Sequence, residues 1–299
     1  MQLPTKYSSG CRSVDRLLGG GFESGAVTQL YGEAGSGKTN LCLQAAVKCA
    51  KAGRSVIFID SEGFSPERFL QIASACCSST NEDAGREEGK EEGREEGREE
   101  GREEGREEGR EEGREEGREE GRKEGREEGR EKGGGVENVE EAARRIIIYE
   151  PHSFEQQTSC INEIETVVKE KRGEESRVAL VVLDSATLFY RLELDDERSI
   201  YLRRVLANQI MQLLEIARKH DLAVLITNQV YFDVGNGNLR PAGGYSLEHL
   251  SKVIVQLEKA VEGRGKRRAT LRKHRSMPED TSCEFFITGS GVKDSQELK

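Results

Sequence analysis

Residues 32–39 of the chain read GEAGSGKT. The segment matches the pattern GxxxxGK(S/T), in which the glycines let backbone N–H groups face phosphate oxygens and the lysine reaches the β- and γ-phosphates of a nucleotide. An apolar strand pattern precedes it and a helical pattern follows, so the positive end of the helix dipole points at the same place. A chance glycine-rich turn would not explain these flanks. The predicted nucleotide ligands are Gly32, Glu33, Ala34, Gly35, Ser36, Gly37, Lys38 and Thr39, together with the adjacent Asn40.

Two carboxylates follow apolar runs that have strand character. Asp184 closes VALVVLD at 178–184, so it lies at the C-terminal edge of the sheet, beside the phosphate loop if the two strands are neighbours. There it would hold Mg²⁺ through water, while the Thr39 hydroxyl binds the same ion. Glu62 follows the strand pattern at 55–60 and would polarise the water that attacks the γ-phosphate. Without the phosphate loop, the first acid would be an ordinary strand-end residue and the second a surface-loop residue.

The rest of the chain alternates between strand and helix patterns. Apolar runs predict strands at 26–31, 55–60, 145–150, 178–184 and 222–230, and apolar residues at helical spacing predict helices at 40–53, 65–77, 153–171 and 197–220. Strands that are apolar throughout, separated by helices, indicate a mostly parallel sheet covered on both faces. From residue 251 the pattern changes to segments joined by turns, which predicts an antiparallel extension of the sheet. The predicted fold class is therefore α/β.

A GREE-type tetrapeptide repeat occupies residues 85–132 and is followed by three glycines at 133–135. As a helix it would place a glycine at every fourth position, at a cost of roughly 1 kcal/mol each. The one favourable charge pair per repeat returns only about 0.2–0.5 kcal/mol. With no apolar residue to bury, segment 85–135 is predicted to be a disordered insertion, either inert or an interaction tail or spacer. Residues 1–84 and 136–299 then form a single domain.

The net charge of the chain is −10, and most of it comes from the repeat. The charge therefore neither favours nor excludes a nucleic-acid partner for the remaining domain. The sequence shows no signal-peptide pattern and no apolar run near the roughly 18 residues of a membrane span, which predicts a soluble, cytoplasmic protein without a membrane partner. Its seven cysteines are odd in number and form no CxxC pair, which is typical of reduced thiols and not of a metal site.

Six segments together carry a resemblance to a known family. They are LLGGGFESG at 17–25, GEAGSGKT at 32–39, FIDSEGFSPERF at 58–69, LVVLDSATLFYR at 180–191, ITNQV at 226–230 and PAGG at 241–244. In this combination and order they resemble the core of the RecA/RadA recombinases, most closely the shortened archaeal RadB branch of that family. The resemblance covers nearly all of residues 7–290 apart from the repeat. It implies a RecA-like P-loop ATPase core that uses ATP and Mg²⁺.

The resemblance also implies roles for three residues. Glu62 would be the catalytic carboxylate. Gln229 of ITNQV would sense the γ-phosphate and pass its state to the DNA-facing loops, unless it is only a polar strand end. Arg68 of SPERF would lie near the adenine, unless it is a solvated charge on a helix.

The chain departs from the full recombinases in the regions that surround this core. Full recombinases carry an N-terminal domain and a polymerisation motif ahead of the core, and we expect no room for either before a phosphate loop that begins at residue 32. The segments that match the two DNA loops lie at 188–198 and 231–240, where Arg191 and Arg240 are the predicted DNA contacts. Both loops hold few positive charges, whereas strand exchange needs a filament that grips many phosphates.

Segment 264–275, RGKRRATLRKHR, holds seven Lys and Arg residues among twelve. One interpretation is a patch that binds DNA phosphates, and the other is a solvated hairpin. Lys273 and Arg275 resemble the KxR pair that some RecA-superfamily ATPases insert into a neighbouring subunit's site, where it acts like an arginine finger. In a monomer this pair would lie idle in solvent. The predicted DNA-binding residues of the segment are Arg264, Lys266, Arg267 and Arg268.

These features predict an accessory protein of homologous recombination and DNA repair. It would bind ATP, hydrolyse ATP weakly, bind DNA with a preference for single strands, and assist a RadA-type recombinase without exchanging strands itself. A homo-oligomer is compatible with the sequence. Two alternatives stay open: a clock- or signalling-type RecA-fold ATPase with no DNA role, and a scaffold that uses ATP only for assembly.

Overall fold

The computed structural model describes residues 3–78, 133–171, 173, 176–195, 197–233, 238–260 and 263–295. Its strands are β1 (Lys6–Tyr7), β2 (Phe22–Glu23), β3 (Val27–Gly32), β4 (Ser55–Asp60), β5 (Ile146–Tyr149), β6 (Val178–Asp184), β7 (Ala223–Asn228), β8 (Val230–Asp233), β9 (Asn238–Pro241), β10 (Val253–Lys259), β11 (Lys266–Lys273), β12 (Ser282–Thr288) and β13 (Gly291–Lys293). Its helices are α1 (Arg12–Leu17), α2 (Lys38–Lys51), α3 (Pro66–Ser78), α4 (Gly133–Arg144), α5 (Phe154–Glu170), α6 (Leu188–Leu192), α7 (Ser199–His220) and α8 (Tyr245–Leu250). The repeat at 85–132 lies outside the described residues.

Nine strands form the central sheet, in the order β13-β12-β11-β10-β3-β7-β6-β4-β5. The strands from β10 to β5 are parallel neighbours, and those from β10 to β13 are antiparallel neighbours. Strands β1 and β2 pair with each other, and β8 and β9 form a separate hairpin. The predicted α/β class, with a mostly parallel sheet and an antiparallel C-terminal extension, is confirmed.

Two apolar clusters cover the two faces of the sheet. Alternate residues of β4 belong to opposite clusters: Val56 and Phe58 pack with α1, α2 and α3, whereas Ile57 and Ile59 pack with α5 and α7. All four side chains are buried, and each such burial contributes about 1.5–3 kcal/mol. A strand with apolar neighbours on both sides has no polar face, which is why the sequence of β4 shows no alternation.

The long helices α5 and α7 cover one face of the sheet. Helix α5 begins at the predicted place because the Ser153 hydroxyl accepts a hydrogen bond from the Gln156 backbone N–H at 3.1 Å. Helix α7 buries Leu206, Ile210 and Leu213, which recur at helical spacing. None of the described helices is both long enough and apolar enough to cross a bilayer.

Helix α4 is absent from the sequence predictions. It begins at Gly133, so the first turn comes from the glycines at 133–135 that were predicted to belong to the insertion. Ala142 is buried, and Val139 and Ala143 pack against the same cluster as α2 and α3. The helix therefore begins three residues before the predicted domain boundary at residue 136, and that boundary stays a prediction. The two valines and two alanines that follow the glycine run are too weak a pattern to identify a helix.

The predicted strand at 222–230 is interrupted in the structure. Strand β7 ends at Asn228 and β8 begins at Val230, so Gln229 lies between two strands that belong to different sheets. The segment 231–240, predicted as a loop, contributes to the β8–β9 hairpin, in which Tyr231 pairs with Arg240. The other predicted DNA loop begins with the short helix α6.

Candidate nucleotide site and its link to the predicted DNA loops

The phosphate loop at 32–39 connects β3 to α2, as the sequence predicts. Its glycines stand where a side chain would collide with the antiparallel extension. A Cβ on Gly32 would lie 2.1 Å from the Leu257 carbonyl oxygen, and a Cβ on Gly37, whose φ is 107°, would lie 2.9 Å from Cδ1 of Ile287. The loop therefore has the tight, glycine-dependent path that backbone amides need to approach a phosphate.

The Lys38 side chain folds back over this loop. Its Nζ donates hydrogen bonds to the carbonyl oxygens of Gly32, at 2.8 Å, and of Glu33, at 3.1 Å. Burial lowers the pKa of Lys38, and the negative charges of Glu62 and Asp184 oppose that shift. A partly desolvated ammonium gains more from an anion than a solvated one does, so this position suits a phosphate ligand.

Asp184 and Asp60 end the parallel strands β6 and β4 and are direct partners in the register. Strand β7 separates β6 from β3, so the strands of Asp184 and the phosphate loop are not neighbours. The Asp184 carboxylate is nevertheless close enough for the Thr39 hydroxyl to act on its pKa. The strands of Asp184 and the phosphate loop are thus separated by β7, but the Asp184 carboxylate still lies close to Thr39 of the loop.

The Asp184 carboxylate is fully buried and only half satisfied by hydrogen bonds. Its Oδ1 accepts a hydrogen bond from the Thr227 hydroxyl, while Oδ2 has no partner among the described residues. Burial raises the pKa of Asp184 to about 6, although the hydroxyls of Thr227 and Thr39 act to lower it. An unpaired buried carboxylate oxygen is costly. A hard divalent cation would satisfy it, so Asp184 and Thr39 fit a metal with oxygen ligands.

Glu62, Gln229 and Arg191 form a hydrogen-bonded chain at the edge of the site. Nε2 of Gln229 donates to Oε1 of Glu62 at 2.8 Å, and Oε1 of Gln229 accepts a hydrogen bond from Nη1 of Arg191. The three residues come from the loop after β4, the break between β7 and β8, and helix α6. The structure therefore joins the predicted catalytic acid, the predicted sensor and a predicted DNA contact.

A buried polar network lies next to Gln229 in the sequence and was not predicted from it. The Thr187 hydroxyl donates to Oδ1 of Asn228 at 2.6 Å, and the Asn228 amide donates to the Ala242 carbonyl oxygen. Thr187 and Asn228 are fully buried. The network ties the start of α6 and the segment after β9 to the end of β7. The only sequence signal is the polar pair Thr-Asn at the end of an otherwise apolar strand.

Arg68 on α3 is bound to the helix that follows the phosphate loop. Its Nε donates to Oδ1 of Asn40 at 2.7 Å, and its Nη1 donates to the Gly289 carbonyl oxygen at 3.1 Å. Nη2 is buried without a partner among the described residues. Burial lowers the pKa of Arg68. The guanidinium is thus half-buried beside α2, and its role near the adenine stays a prediction.

Three of the four predicted DNA-binding residues of the basic segment have partners within the chain. Lys266 Nζ lies 2.8 Å, and Arg268 Nη2 3.7 Å, from the Glu284 carboxylate. Nε of Arg267 donates to a carbonyl oxygen of the phosphate loop at 3.0 Å. Arg264 is exposed in the turn before β11. Part of the basic charge is therefore already compensated, and the DNA role of the segment stays a prediction.

Lys273 and Arg275 lie at and just beyond the end of β11 that points away from the phosphate loop. Lys273 Nζ donates to the Glu248 carbonyl oxygen at 2.6 Å. Arg275 donates from Nε, at 2.9 Å, and from Nη2, at 2.6 Å, to the buried Glu23 carboxylate, which also pairs with Lys6. These hydrogen bonds thus lie away from the phosphate loop of the same chain, and the role of the pair in a neighbouring subunit stays a prediction.

The comparisons with known proteins agree with one another. The Rad51 family model matches residues 4–84 and 136–295. The DNA repair and recombination protein RadB of Methanococcoides burtonii is 44% identical over 95% of this chain and 96% of its own length. This chain belongs to the Rad51 family and, within it, to the RadB proteins. RadB of Methanoculleus marisnigri is 38% identical over 96% of this chain and 97% of its own. A crystal structure of the RadB recombinase covers 96% of this chain and 99% of its own, at 31% identity and a TM-score of 0.65.

Membership of the RadB proteins confirms the resemblance that the six sequence segments carried. The Rad51 match omits residues 85–135, where the repeat and the three glycines lie. The RecA-like fold implies a bound nucleotide and a divalent metal. The glycine cradle, the Lys38 ammonium and the unpaired Asp184 oxygen fit both ligands in this RadB chain.

Proposed function

We propose that the chain is an accessory protein of homologous recombination and DNA repair that binds ATP and Mg²⁺, hydrolyses ATP weakly and binds single-stranded DNA. The name of its relatives, DNA repair and recombination protein RadB, supports the biological process. The proposed partner is a RadA-type recombinase. The chain would assist it without exchanging strands, because its two predicted DNA loops hold few positive charges. Co-purification with such a recombinase tests the partnership.

Each residue of the site has one task in this proposal. The phosphate loop and Lys38 bind the β- and γ-phosphates, and Asp184 and Thr39 hold the metal ion, which offsets charge on the transferred phosphoryl group. Glu62 orients and polarises the attacking water. Gln229 holds Glu62 in place through its amide hydrogen bond.

The chain of hydrogen bonds from Glu62 through Gln229 to Arg191 carries the proposal. Glu62 and Arg191 bind the two ends of the same amide, so the nucleotide side and the predicted DNA side restrain one side chain. A DNA phosphate that attracts Arg191 removes one of these two restraints, because a guanidinium binds a phosphate more strongly than a neutral amide. DNA and ATP then change each other's binding affinity by the same factor. DNA also changes ATP turnover, because Gln229 holds Glu62.

ATP turnover with and without a single-stranded oligonucleotide tests this coupling. We expect the oligonucleotide to change the turnover of the wild type. Gln229→Ala should keep its affinity for both ligands and lose the response, whereas the control Gln212→Ala, on helix α7, should respond as the wild type does. A response that survives in Gln229→Ala would contradict the path. A wild type that binds ATP but no DNA would favour the signalling-type ATPase.

The salt dependence of oligonucleotide affinity tests where the DNA binds. On a single strand, removing one cation that binds a phosphate reduces the log–log slope by about 0.7. If the basic segment is the main DNA surface, neutralising Arg264, Lys266 and Arg268 together flattens the slope and leaves ATP binding intact. If affinity is instead unchanged there and abolished in Arg191→Ala or Arg240→Ala, the two loops form the DNA surface.

A further inference from the structure

Lys259 and Arg267 form a like-charge pair at the phosphate-loop end of β10 and β11. They are direct partners in the antiparallel register, so their side chains leave the sheet on the same face. Leu257 and Ala269, the preceding pair on that face, are buried in the cluster that also packs α2. The two cations therefore lie on the α2 face, and like charges directly opposite each other destabilise a sheet.

The opposite face of the same hairpin carries balanced charges. Arg268 is the direct partner of Glu258, and the Glu284 carboxylate lies 2.8 Å from Lys266 Nζ and 3.7 Å from Arg268 Nη2. Each of these cations has an acidic neighbour. The repulsive pair is thus confined to the face that meets the phosphate loop, and its position does not follow from the basic composition of the hairpin.

Both cations touch the tip of the phosphate loop. Nε of Arg267 donates to the Gly35 carbonyl oxygen at 3.0 Å. A Cβ on Gly35 would lie 3.2 Å from Cε and 3.3 Å from Nζ of Lys259, so the lysine terminus rests on the loop. Its charge also helps to lower the pKa of Lys38, after the larger effect of burial. Three cations therefore converge on one short loop.

We propose that Lys259 and Arg267 extend the nucleotide site. Lys259 supplies a second ammonium to the phosphate tail, and Arg267 is a positioning residue that fixes the loop tip. The inference rests on the proposed binding of ATP. A chain of two or three phosphates offsets the mutual repulsion of Lys38, Lys259 and Arg267, and a single phosphate offsets less of it. The pair therefore favours nucleoside di- and triphosphates over monophosphates, and Arg267 serves the nucleotide, not the DNA.

Competition against a fluorescent ATP analogue, with inorganic tripolyphosphate or AMP as the competitor, tests this assignment. Lys259→Met should raise the inhibition constant of tripolyphosphate about tenfold and that of AMP less than about twofold, because a hydrogen-bonded charge acts on the extra phosphates. Lys259→Arg should restore the wild-type value. Lys219→Met, which removes an exposed ammonium on α7, is the control and should change neither constant. Arg267→Met should weaken ATP binding and leave oligonucleotide affinity unchanged.

Thermal denaturation separates an effect on the ligand from an effect on the fold. Removing one of two like charges should keep or raise the midpoint without nucleotide and reduce the rise that ATP produces. An unchanged tripolyphosphate constant, or equal weakening of tripolyphosphate and AMP, would overturn the role of Lys259. A lower oligonucleotide affinity of Arg267→Met would show that Arg267 binds DNA and would overturn its proposed role at the phosphate loop. A wild type that does not bind the ATP analogue would overturn the proposed function and this extension together.

Discussion

Lys38 contributes a buried positive charge to the site. Its ammonium is bound by two backbone carbonyl oxygens, which do not neutralise it. We expect Lys38→Ala to lower ATP affinity at least about tenfold, because a charged hydrogen bond contributes about 1.5–3 kcal/mol, and to leave the thermal midpoint nearly unchanged. Binding of a fluorescent ATP analogue and circular dichroism measure the two effects. Lys48→Ala, further along α2, is the control. Retained affinity with normal hydrolysis would contradict the assignment.

Glu62 is exposed, and the Gln229 amide holds its carboxylate. Glu62→Gln keeps the size of the side chain but removes the proposed general base. ATP affinity should therefore persist, while turnover should fall at least tenfold, since a positioned general base contributes about 10²–10⁴. Steady-state phosphate release measures the change, with Glu67→Gln on the first turn of α3 as the control. An unchanged rate would mean that another group activates the water.

At the scale of the elements, the parallel arrangement of the strands made part of the site predictable from the sequence. Strands β3, β4, β6 and β7 are parallel neighbours, so their C-terminal ends meet at one edge of the sheet. This edge brings together Gly32, Asp60, Asp184 and Asn228. Apolar runs of the right length predicted that the phosphate loop and Asp184 lie at this edge, whereas the predicted strand at 222–230 ran past Asn228 and gave that residue no place in the site.

Side-chain contacts that depend on strand order or on hairpin register could not be predicted. Nothing local indicates that β7 lies between β3 and β6, since the order is fixed by helix packing on both faces. The same holds for Arg267, which the composition of its segment assigned to DNA and which the β10–β11 register places against the phosphate loop. Local pattern carries information about elements, and tertiary register decides which side chains meet.

We expect helix α4 to contribute to the thermal stability of the domain and the repeat before it to contribute little. Deleting residues 85–132 should move the thermal midpoint by less than about 2 °C, because loop-closure entropy changes slowly with loop length. Ala142→Asp, in contrast, places a carboxylate at a buried position of α4 and should lower the midpoint by at least about 5 °C. Calorimetry of both variants beside the wild type measures the contrast. A large decrease in the stability of the deletion variant would show that the repeat packs against the domain.

At the scale of the whole molecule, the phosphate loop and the Lys273–Arg275 pair lie at different ends of the sheet. Lys273 pairs with Ile254, which is level with Gln29, whereas the phosphate loop begins at Gly32. Arg275 continues in the same direction and binds Glu23. Burial acts to raise the pKa of Glu23, but the hydrogen bonds of Lys6 and Arg275 lower it overall, so the carboxylate stays ionised. Any effect of the pair on catalysis therefore requires a second copy of the chain.

Mixing two inactive variants tests that requirement. Lys38→Ala has a defective phosphate loop and an intact Lys273, and Lys273→Met has the reverse. If the pair acts across a head-to-tail interface, an equal mixture should recover about a quarter of the wild-type turnover, since half of the loops are intact and half of the neighbouring lysines are intact. Lys273 is preferred to Arg275 because removing Arg275 strips a partner from the buried Glu23 and costs stability. If the turnover of the mixture is no higher than the average of the two variants, Lys273 and Arg275 do not act in a neighbouring subunit's site. They are then either solvated or important only for the fold of their own chain.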